Sequence, residues 1–313
     1  MTRREWIGLI SAFAVACAGA NDDAPLPDVT SDPASNFRTI YADPVLRERF
    51  ALFLLHVFHL YPEDRFHALI HRLSAENSTD ERIYLALLQQ LPEISPPGAV
   101  LTHALPTLKK QKEEMAKQVA SVIGRSRVDG YLEMGTTGRY LGALRQHLTV
   151  EGPVFVLNDV APSRDPADIV DRGQIRDIGD FLPLGNYDPV GPAVPDGSLD
   201  LVSDLIGLHH CPETPLEAFV VSLRRVLKPG GLLVLREHDV GDATMSTFVA
   251  LAHDVFNAGI GLSWAENHAQ VRRFRSATGW TQFITAQGFE RITGEGRQVG
   301  DPTDNLVLAF RKV

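Results

Sequence analysis

The chain has 313 residues, with 30 lysines and arginines against 39 aspartates and glutamates, a formal net charge of −9. Hydrophobic residues make up 44% and charged residues 22%, a balance that excludes a disordered chain, a collagen-like fibre and a polytopic membrane protein. The length predicts about two domains, and the acidic excess argues against a general nucleic-acid binder, which needs a basic face. Two cysteines, Cys17 and Cys211, make neither a disulfide framework nor a four-cysteine zinc site.

Arg3 and Arg4 precede an uncharged run from Trp6 to Ala20. The run is too short to span a bilayer comfortably, but it has the order of a secretory signal: basic start, apolar stretch, small-residue end. The arginine pair resembles a twin-arginine signal, with Trp6 where phenylalanine is usual. Ala14-Val15-Ala16-Cys17 resembles a weak lipoprotein cleavage box, and Ala18-Gly19-Ala20 offers a plain cleavage site. A short apolar helix or a misassigned start is the competing reading. Residues 1–20 are thus expected to be a signal or anchor segment, and 21–40, rich in Asp and Pro, a disordered tether.

Residues 41–124 carry helix signals and form an expected helical lead-in or lid. Phe50, Phe53, Leu54, Val57 and Phe58 recur at three-and-four spacing, as do Phe66, Leu69, Ile70 and Leu73. Ser78-Thr79-Asp80-Glu81 starts a helix carrying Ile83, Leu85, Leu87 and Leu88, which Pro92, Pro96 and Pro97 are expected to break. Leu108, Met115, Val119, Val122 and Ile123 share one face of a further helix, whose lysines and glutamates form a solvated face.

From Asp129 short apolar runs alternate with helical stretches, the pattern of a parallel sheet covered by helices. Strands are predicted at 131–134, 154–157, 181–184, 199–203, 232–235, 289–292 and 306–310. Helices are predicted over 140–148, along Leu216 to Val226, along Phe248 to Val255 and around Trp280 to Ile284.

In open α/β sheets ligands bind beyond the carboxyl ends of the strands. After the first predicted strand comes Glu133-Met134-Gly135-Thr136-Thr137-Gly138-Arg139, a glycine turn that lets a ligand approach the backbone. It lacks the three-glycine spacing of a dinucleotide fingerprint. After the second comes Asn158-Asp159, where a carboxylate can take both hydroxyls of a ribose or simply form a surface turn. The fifth predicted strand ends in Arg236-Glu237-His238-Asp239, and His209-His210-Cys211 follows the fourth. Three readings stay open for this group: a general base at His238 or His210, a metal site, or a hydrogen-bonded structural corner in which Arg236 pairs Glu237. Trp264, Glu266, Asn267 and His268 are read as a loop able to close over the site.

Taken together, Glu133 to Gly138, Asp159, the Pro195-Asp196-Gly197-Ser198-Leu199-Asp200-Leu201-Val202 run, Leu208-His209-His210 and Leu223 to Gly231 resemble a class I S-adenosylmethionine-dependent methyltransferase of the small-molecule kind called type 11. The resemblance covers Tyr131 to Asp239. It implies a Rossmann-like, doubly wound, seven-stranded, mostly parallel α/β sheet over 125–313, with helices on both faces, plus the N-terminal helical extension. It also implies S-adenosylmethionine as cofactor. Gly135, Thr136, Thr137 and Gly138 would then lie under the methionine part, with Glu133 supporting its amino group. Asp159 would hold the ribose, Asp188 would meet the adenine amine, and Asp204 would face the methionine ammonium. His238, His210 and Asp239 are the candidate catalytic residues, and no metal is assigned. The family's Gly-x-Gly-x-Gly series is interrupted here by Thr137 and Arg139, with one residue deleted.

The implied activity is methyl transfer to a small-molecule acceptor, with no nucleic-acid partner and membrane attachment only through the N-terminus. An NAD(P)-dependent oxidoreductase and a non-catalytic scaffold are the alternatives. Localisation is in conflict: the N-terminus reads as exported or anchored, whereas the cofactor is made in the cytoplasm.

Overall fold

The structure, a computed structural model, describes residues 26–58, 61–95, 105–176, 178–294 and 296–313. The expected signal segment, residues 1–20, lies outside the described residues. Among the described residues no helix is long and apolar enough to cross a membrane.

Order begins before the boundary that composition suggests. Helix α1 (Asn36–Ala42) starts inside the segment expected to be a tether, because Ser35 caps it and Phe37, Ile40 and Tyr41 are buried. Three helices follow: α2 (Pro44–His56), capped by Asp43 with proline in its first turn, α3 (Glu63–Glu76) and α4 (Asp80–Ile94), capped by Thr79. The Asp80 carboxylate reaches back to accept the amides of Asn36 at 2.8 Å and Phe37 at 3.4 Å, joining α4 to α1. Pro92 does not end α4, which runs on to Ile94; in the last turn a missing N–H costs one bond rather than a ladder.

The next helix, α5 (Leu105–Ile123), departs from the expected division. It packs mainly against α6 and the sheet, burying Met115, Ala116, Val119, Val122 and Ile123 in one cluster with Leu141, Leu144, Val128, Tyr131, Leu232, Val234, Val307 and Ala309. The lead-in proper therefore ends with α4.

The remainder alternates: β1 (Arg127–Met134), α6 (Leu141–Leu144), β2 (Thr149–Asn158), α7 (Pro166–Arg172), β3 (Asp180–Pro183), β4 (Leu199–Asp204), a 3-10 turn (Leu208–His210), α8 (Glu213–Val226), β5 (Leu227–His238), α9 (Ala243–Gly259), α10 (Trp264–Ala269), α11 (Ala277–Ala286), β6 (Phe289–Arg291), β7 (Gly296–Arg297) and β8 (Asn305–Lys312). The sheet order is β3-β2-β1-β4-β5-β8-β6. Strands β1 to β5 are parallel, and β8 runs antiparallel between β5 and β6. The two-residue β7 pairs Val307 and Leu306 on the edge of β8 that β6 also uses. This is the expected doubly wound, mostly parallel sheet with helices on both faces, except that the short β7 joins the seven-strand path as an eighth strand. The predicted helix over 140–148 shortens to α6, and the predicted loop at Trp264 is helix α10, held by a capping box between Ser263 and Glu266.

Alternation along the strands divides the core. Leu232 and Val234 face α5, while Leu233 and Leu235 face α8 and α11. A third cluster joins α1 to α4 with Met245, Phe248, Leu251 and Val255 of α9, so the N-terminal helices form a cap seated on α9.

Candidate functional site

The chain runs from β1 outward to β2 and β3, then returns to β4 on the other side of β1. The carboxyl ends of β1 and β4 are therefore the switch point at which α/β sheets bind ligands. Residues Gly135 to Gly138 leave β1 there, and Leu205 to Gly207 leave β4.

Glu133 organises the first of these turns. It is 1% exposed, and its carboxylate accepts the amides of Tyr140 at 3.1 Å and Leu141 at 3.0 Å, the hydroxyl of Thr136, and the Tyr131 hydroxyl at 3.3 Å. Burial raises its pKa, against the lowering pull of those donors. Thr136 Oγ1 in turn accepts the amides of Gly138 at 3.1 Å and Arg139 at 3.0 Å. Both residues are thus braces of the turn. Gly135 donates its amide to the Leu157 carbonyl at 2.8 Å, which ties the turn to the end of β2.

Gly135 and Gly138 have φ of +80° and +97°, where side chains are strained. A Cβ on Gly135 would come within 2.8 Å of Ile206, and one on Gly138 within 2.8 Å of Ile178. Gly135→Ala is expected to cost about 1–3 kcal/mol of stability from backbone strain alone. Urea unfolding reads the cost, and the Gly135→Ala/Ile206→Ala double variant should recover only the steric part. A bulkier replacement here would disturb the turn as well as any ligand.

Arg139, which breaks the glycine series, bonds Asp171 of α7 at 2.7 Å with both side chains largely buried. The turn is thereby fixed to α7, a role the sequence did not show. The Thr137 hydroxyl is buried with no hydrogen-bond partner among the described residues. Asp159 is exposed at the end of β2, with no hydrogen bond to a described residue. A buried orphan hydroxyl and an unengaged carboxylate, one strand apart, fit a ligand that carries hydroxyl and amino groups. Asp188 is exposed in the loop after β3 and donates its amide to the Leu184 carbonyl at 3.2 Å. Asp204 is buried, and its Oδ1 accepts the amides of Ile206 at 3.1 Å and Gly207 at 3.0 Å, shaping the turn after β4.

At the ends of β4 and β5 four imidazoles meet. His209 Nδ1 lies 2.8 Å from Glu237 Oε2, and His209 Nε2 lies 3.2 Å from His253 Nε2. His210 Nδ1 is 3.0 Å from the Val271 carbonyl, His238 Nδ1 is 2.9 Å from the Thr303 carbonyl, and His253 Nδ1 is 2.9 Å from the Val249 carbonyl. Phe274 packs on His209, His238 and His253 at 5.3 to 6.0 Å between ring centroids. Burial pushes the pKa values of His209, His238 and His253 down and that of Glu237 up.

Three sequence readings change here. Arg236 does not pair Glu237, because neighbours on a strand point to opposite faces; the partner of Glu237 is His209, with Leu208 donating its amide to the same carboxylate. Asp239 turns away from the imidazoles: it accepts the Ala277 amide at 2.8 Å and pairs Arg297 at 3.5 Å. Cys211 is buried, its thiol pushed up to about 12 and directed to the Pro212 carbonyl at 3.3 Å. The residue the sequence missed is His253. A single histidine on the apolar helix α9 carries no local signal that separates it from a packed core residue.

The methyltransferase domain family model matches residues 184–235, from the end of β3 through α8 into β5. The same stretch holds the return from β3 to β4 across the switch point of the sheet. The chain resembles the class I S-adenosylmethionine-dependent methyltransferases. No curated protein sequence matches the chain. Among solved structures it is similar to the Burkholderia thailandensis 1,6-didemethyltoxoflavin-N1-methyltransferase, crystallised with 1,6-didemethyltoxoflavin and S-adenosylhomocysteine. That match has 14% identity and a TM-score of 0.42, covering 76% of this chain and 92% of that one. It is also similar to the CurJ carbon methyltransferase, at 16% identity and a TM-score of 0.46, covering 86% and 69%. A third is the YcgJ protein of Bacillus subtilis, at 14% and 0.44, covering 65% and 98%. The glycine turn leaves the carboxyl end of β1, and the imidazoles stand at the ends of β4 and β5 and on α9.

Proposed function

We propose that the chain transfers a methyl group from S-adenosylmethionine to a small-molecule acceptor by in-line displacement. The observation that carries this reading is the braced glycine turn at the switch point, with the unengaged Asp159 carboxylate one strand away. The backbone of Gly135 to Gly138 would lie under the methionine part, and the orphan hydroxyl of Thr137 would find its partner there. Asp159 would take the ribose hydroxyls, since one carboxylate accepts two bonds side by side. Asp188 is assigned to the adenine amine and Asp204 to the ammonium, in addition to the amides Asp204 already accepts. Bound there, S-adenosylmethionine supplies a methyl group already activated on a sulfonium.

The chain's own task is then to place the acceptor atom in line and keep water out. A base is required only for a protonated acceptor. In His238 and His210 the Nδ1 atom faces a backbone carbonyl, which only accepts. Their Nε2 atoms are therefore the nitrogens able to take a proton. Asp239 is engaged by Ala277 and Arg297 and serves best as a clamp on α11.

Calorimetric titration tests the reading. S-adenosylmethionine should bind, and Asp159→Ala should weaken it by about 1–3 kcal/mol, the scale of a lost hydrogen-bonded partner. Because Asp159 is exposed, the unfolding midpoint should stay put. Equal affinity in the variant would remove the ribose assignment. Binding of NAD in place of S-adenosylmethionine would favour the oxidoreductase. Binding of neither would favour a non-catalytic scaffold, for which the packing of Ile206 and Ile178 against the two glycines speaks.

Residues 1–20 are proposed as an export or anchoring segment. Recovery of the full-length chain in the soluble cytoplasm, with those residues attached, would remove that proposal.

A further inference from the structure

The imidazole group between β4, β5 and α9 has a geometry that packing alone does not explain. His210 and His253 each hold Nδ1 against a backbone carbonyl. A carbonyl only accepts, so Nδ1 carries the hydrogen and Nε2 carries the lone pair in each neutral ring. His209 holds Nδ1 on the buried carboxylate of Glu237, and its Nε2 faces the Nε2 of His253 at 3.2 Å. Two imidazole nitrogens bound to one tetrahedral zinc at about 2.0–2.1 Å lie about 3.3 Å apart. The ligand nitrogens of His209, His210 and His253 all fall within 4.8 Å of one another.

The supports around these rings are those of a metal site. Ligating histidines almost always donate their second nitrogen to a carboxylate or a carbonyl, which fixes the tautomer and raises ligand basicity. Here Glu237 does this for His209, Val271 for His210 and Val249 for His253. Gly207 makes room for the first ring: at φ +114°, a Cβ there would sit 2.3 Å from His209. Phe274 and the ring of His238 close the apolar side. The nearby Arg272 guanidinium is taken up by Asp254 at 2.7 Å.

We propose that His209, His210 and His253 bind a divalent first-row transition-metal ion, zinc in the first instance, at the carboxyl ends of β4 and β5. All-imidazole ligation suits zinc, copper, iron and nickel and excludes magnesium and calcium, which prefer oxygen. The metal-free alternative is a shared proton: Glu237 protonated on His209, and His209 donating through Nε2 to His253. The proposal shares His210 with the methyl-transfer reading: a metal on its Nε2 leaves His238, whose Nδ1 is held by Thr303, as the imidazole able to take a proton, and the test of the metal does not involve S-adenosylmethionine.

The full chain, prepared without an affinity tag of histidines, is stripped with a chelator and titrated with cobalt(II). Saturation at one cobalt per chain is expected, with the visible absorption of a low-coordinate nitrogen site. Zinc-edge X-ray absorption of the wild-type protein should show imidazole scattering, and that measurement needs no substitution. His253→Phe, which keeps an aromatic ring in the space, should abolish stoichiometric uptake. Glu237→Gln should weaken affinity about 10–100-fold through the lost support of His209. Circular dichroism establishes that each variant is folded. A folded wild-type chain that takes up no cobalt would leave the shared proton and overturn the proposal. An oxygen-only shell, or uptake undiminished in folded His253→Phe, would overturn it equally.

Discussion

Glu133→Ala is expected to destabilise the fold by about 3 kcal/mol or more, since each buried donor left without a partner costs about 1–3 kcal/mol. Three such donors depend on this carboxylate: the amides of Tyr140 and Leu141 and the hydroxyl of Thr136. The loss is transmitted to the turn, because Thr136 is also the acceptor for the amides of Gly138 and Arg139. Urea unfolding measures the cost, and titration with S-adenosylmethionine should show affinity falling with it. Glu133→Gln should cost less but still more than about 1 kcal/mol, because its amide nitrogen places a donor against donors. A change below about 1 kcal/mol in the alanine variant would mean that water replaces the carboxylate and that the turn holds itself.

Phe248→Ala should have an effect of similar size for a different reason. The ring is fully buried where α9 meets the cap, edge-on to Phe50 at 5.5 Å and under the Arg49 guanidinium at 5.0 Å. Truncating a buried phenylalanine typically costs about 3–5 kcal/mol through lost transfer energy and the residual cavity. The loss falls on the seam between α1–α4 and α9, so undocking of the cap should precede unfolding of the sheet. Limited proteolysis should then cut within the first four helices while the sheet stays protected. Simultaneous loss of both in the variant would show that cap and sheet unfold as one unit.

The seam also bears on His253, which stands on α9 one turn from Val249 and close to Phe248 in sequence. The cap and the imidazole group thus share one helix: α9 buries Phe248, Leu251 and Val255 among the cap residues and holds His253 against His209. A cap that loosens should therefore weaken cobalt uptake along with stability, and the Phe248→Ala protein offers that comparison directly.

Much of the architecture is legible in local periodicity. The alternation of apolar runs and helical stripes predicts a parallel sheet covered by helices, and glycines and acids after predicted strands point to the ligand edge. Boundaries are less legible where tertiary contacts extend an element. β2 reaches from Thr149 to Asn158 because it has β1 and β3 to pair with on its two sides. α5 reads as part of the lead-in because its amphipathic stripe has the same period whichever surface covers it. Phe37 and Ile40 sit in a segment whose composition reads as tether, and they are ordered only because α3, α4 and α9 supply a surface to bury them.

The candidate site divides in the same way. By itself the sequence determined the alternation of the main strands and helices, the glycine turn after β1 and the acids at the ends of β2 and β4, because these follow from short-range patterns within one strand and its turn. Tertiary structure alone decided that His209 and His210 meet His253 from a helix further along the chain, that Glu237 serves His209 rather than Arg236, and that Asp239 turns to α11. The physical reason is range: periodicity fixes which face of its own element a side chain occupies, whereas a hydrogen bond requires donor and acceptor about 3 Å apart. That placement is set only when separate elements pack.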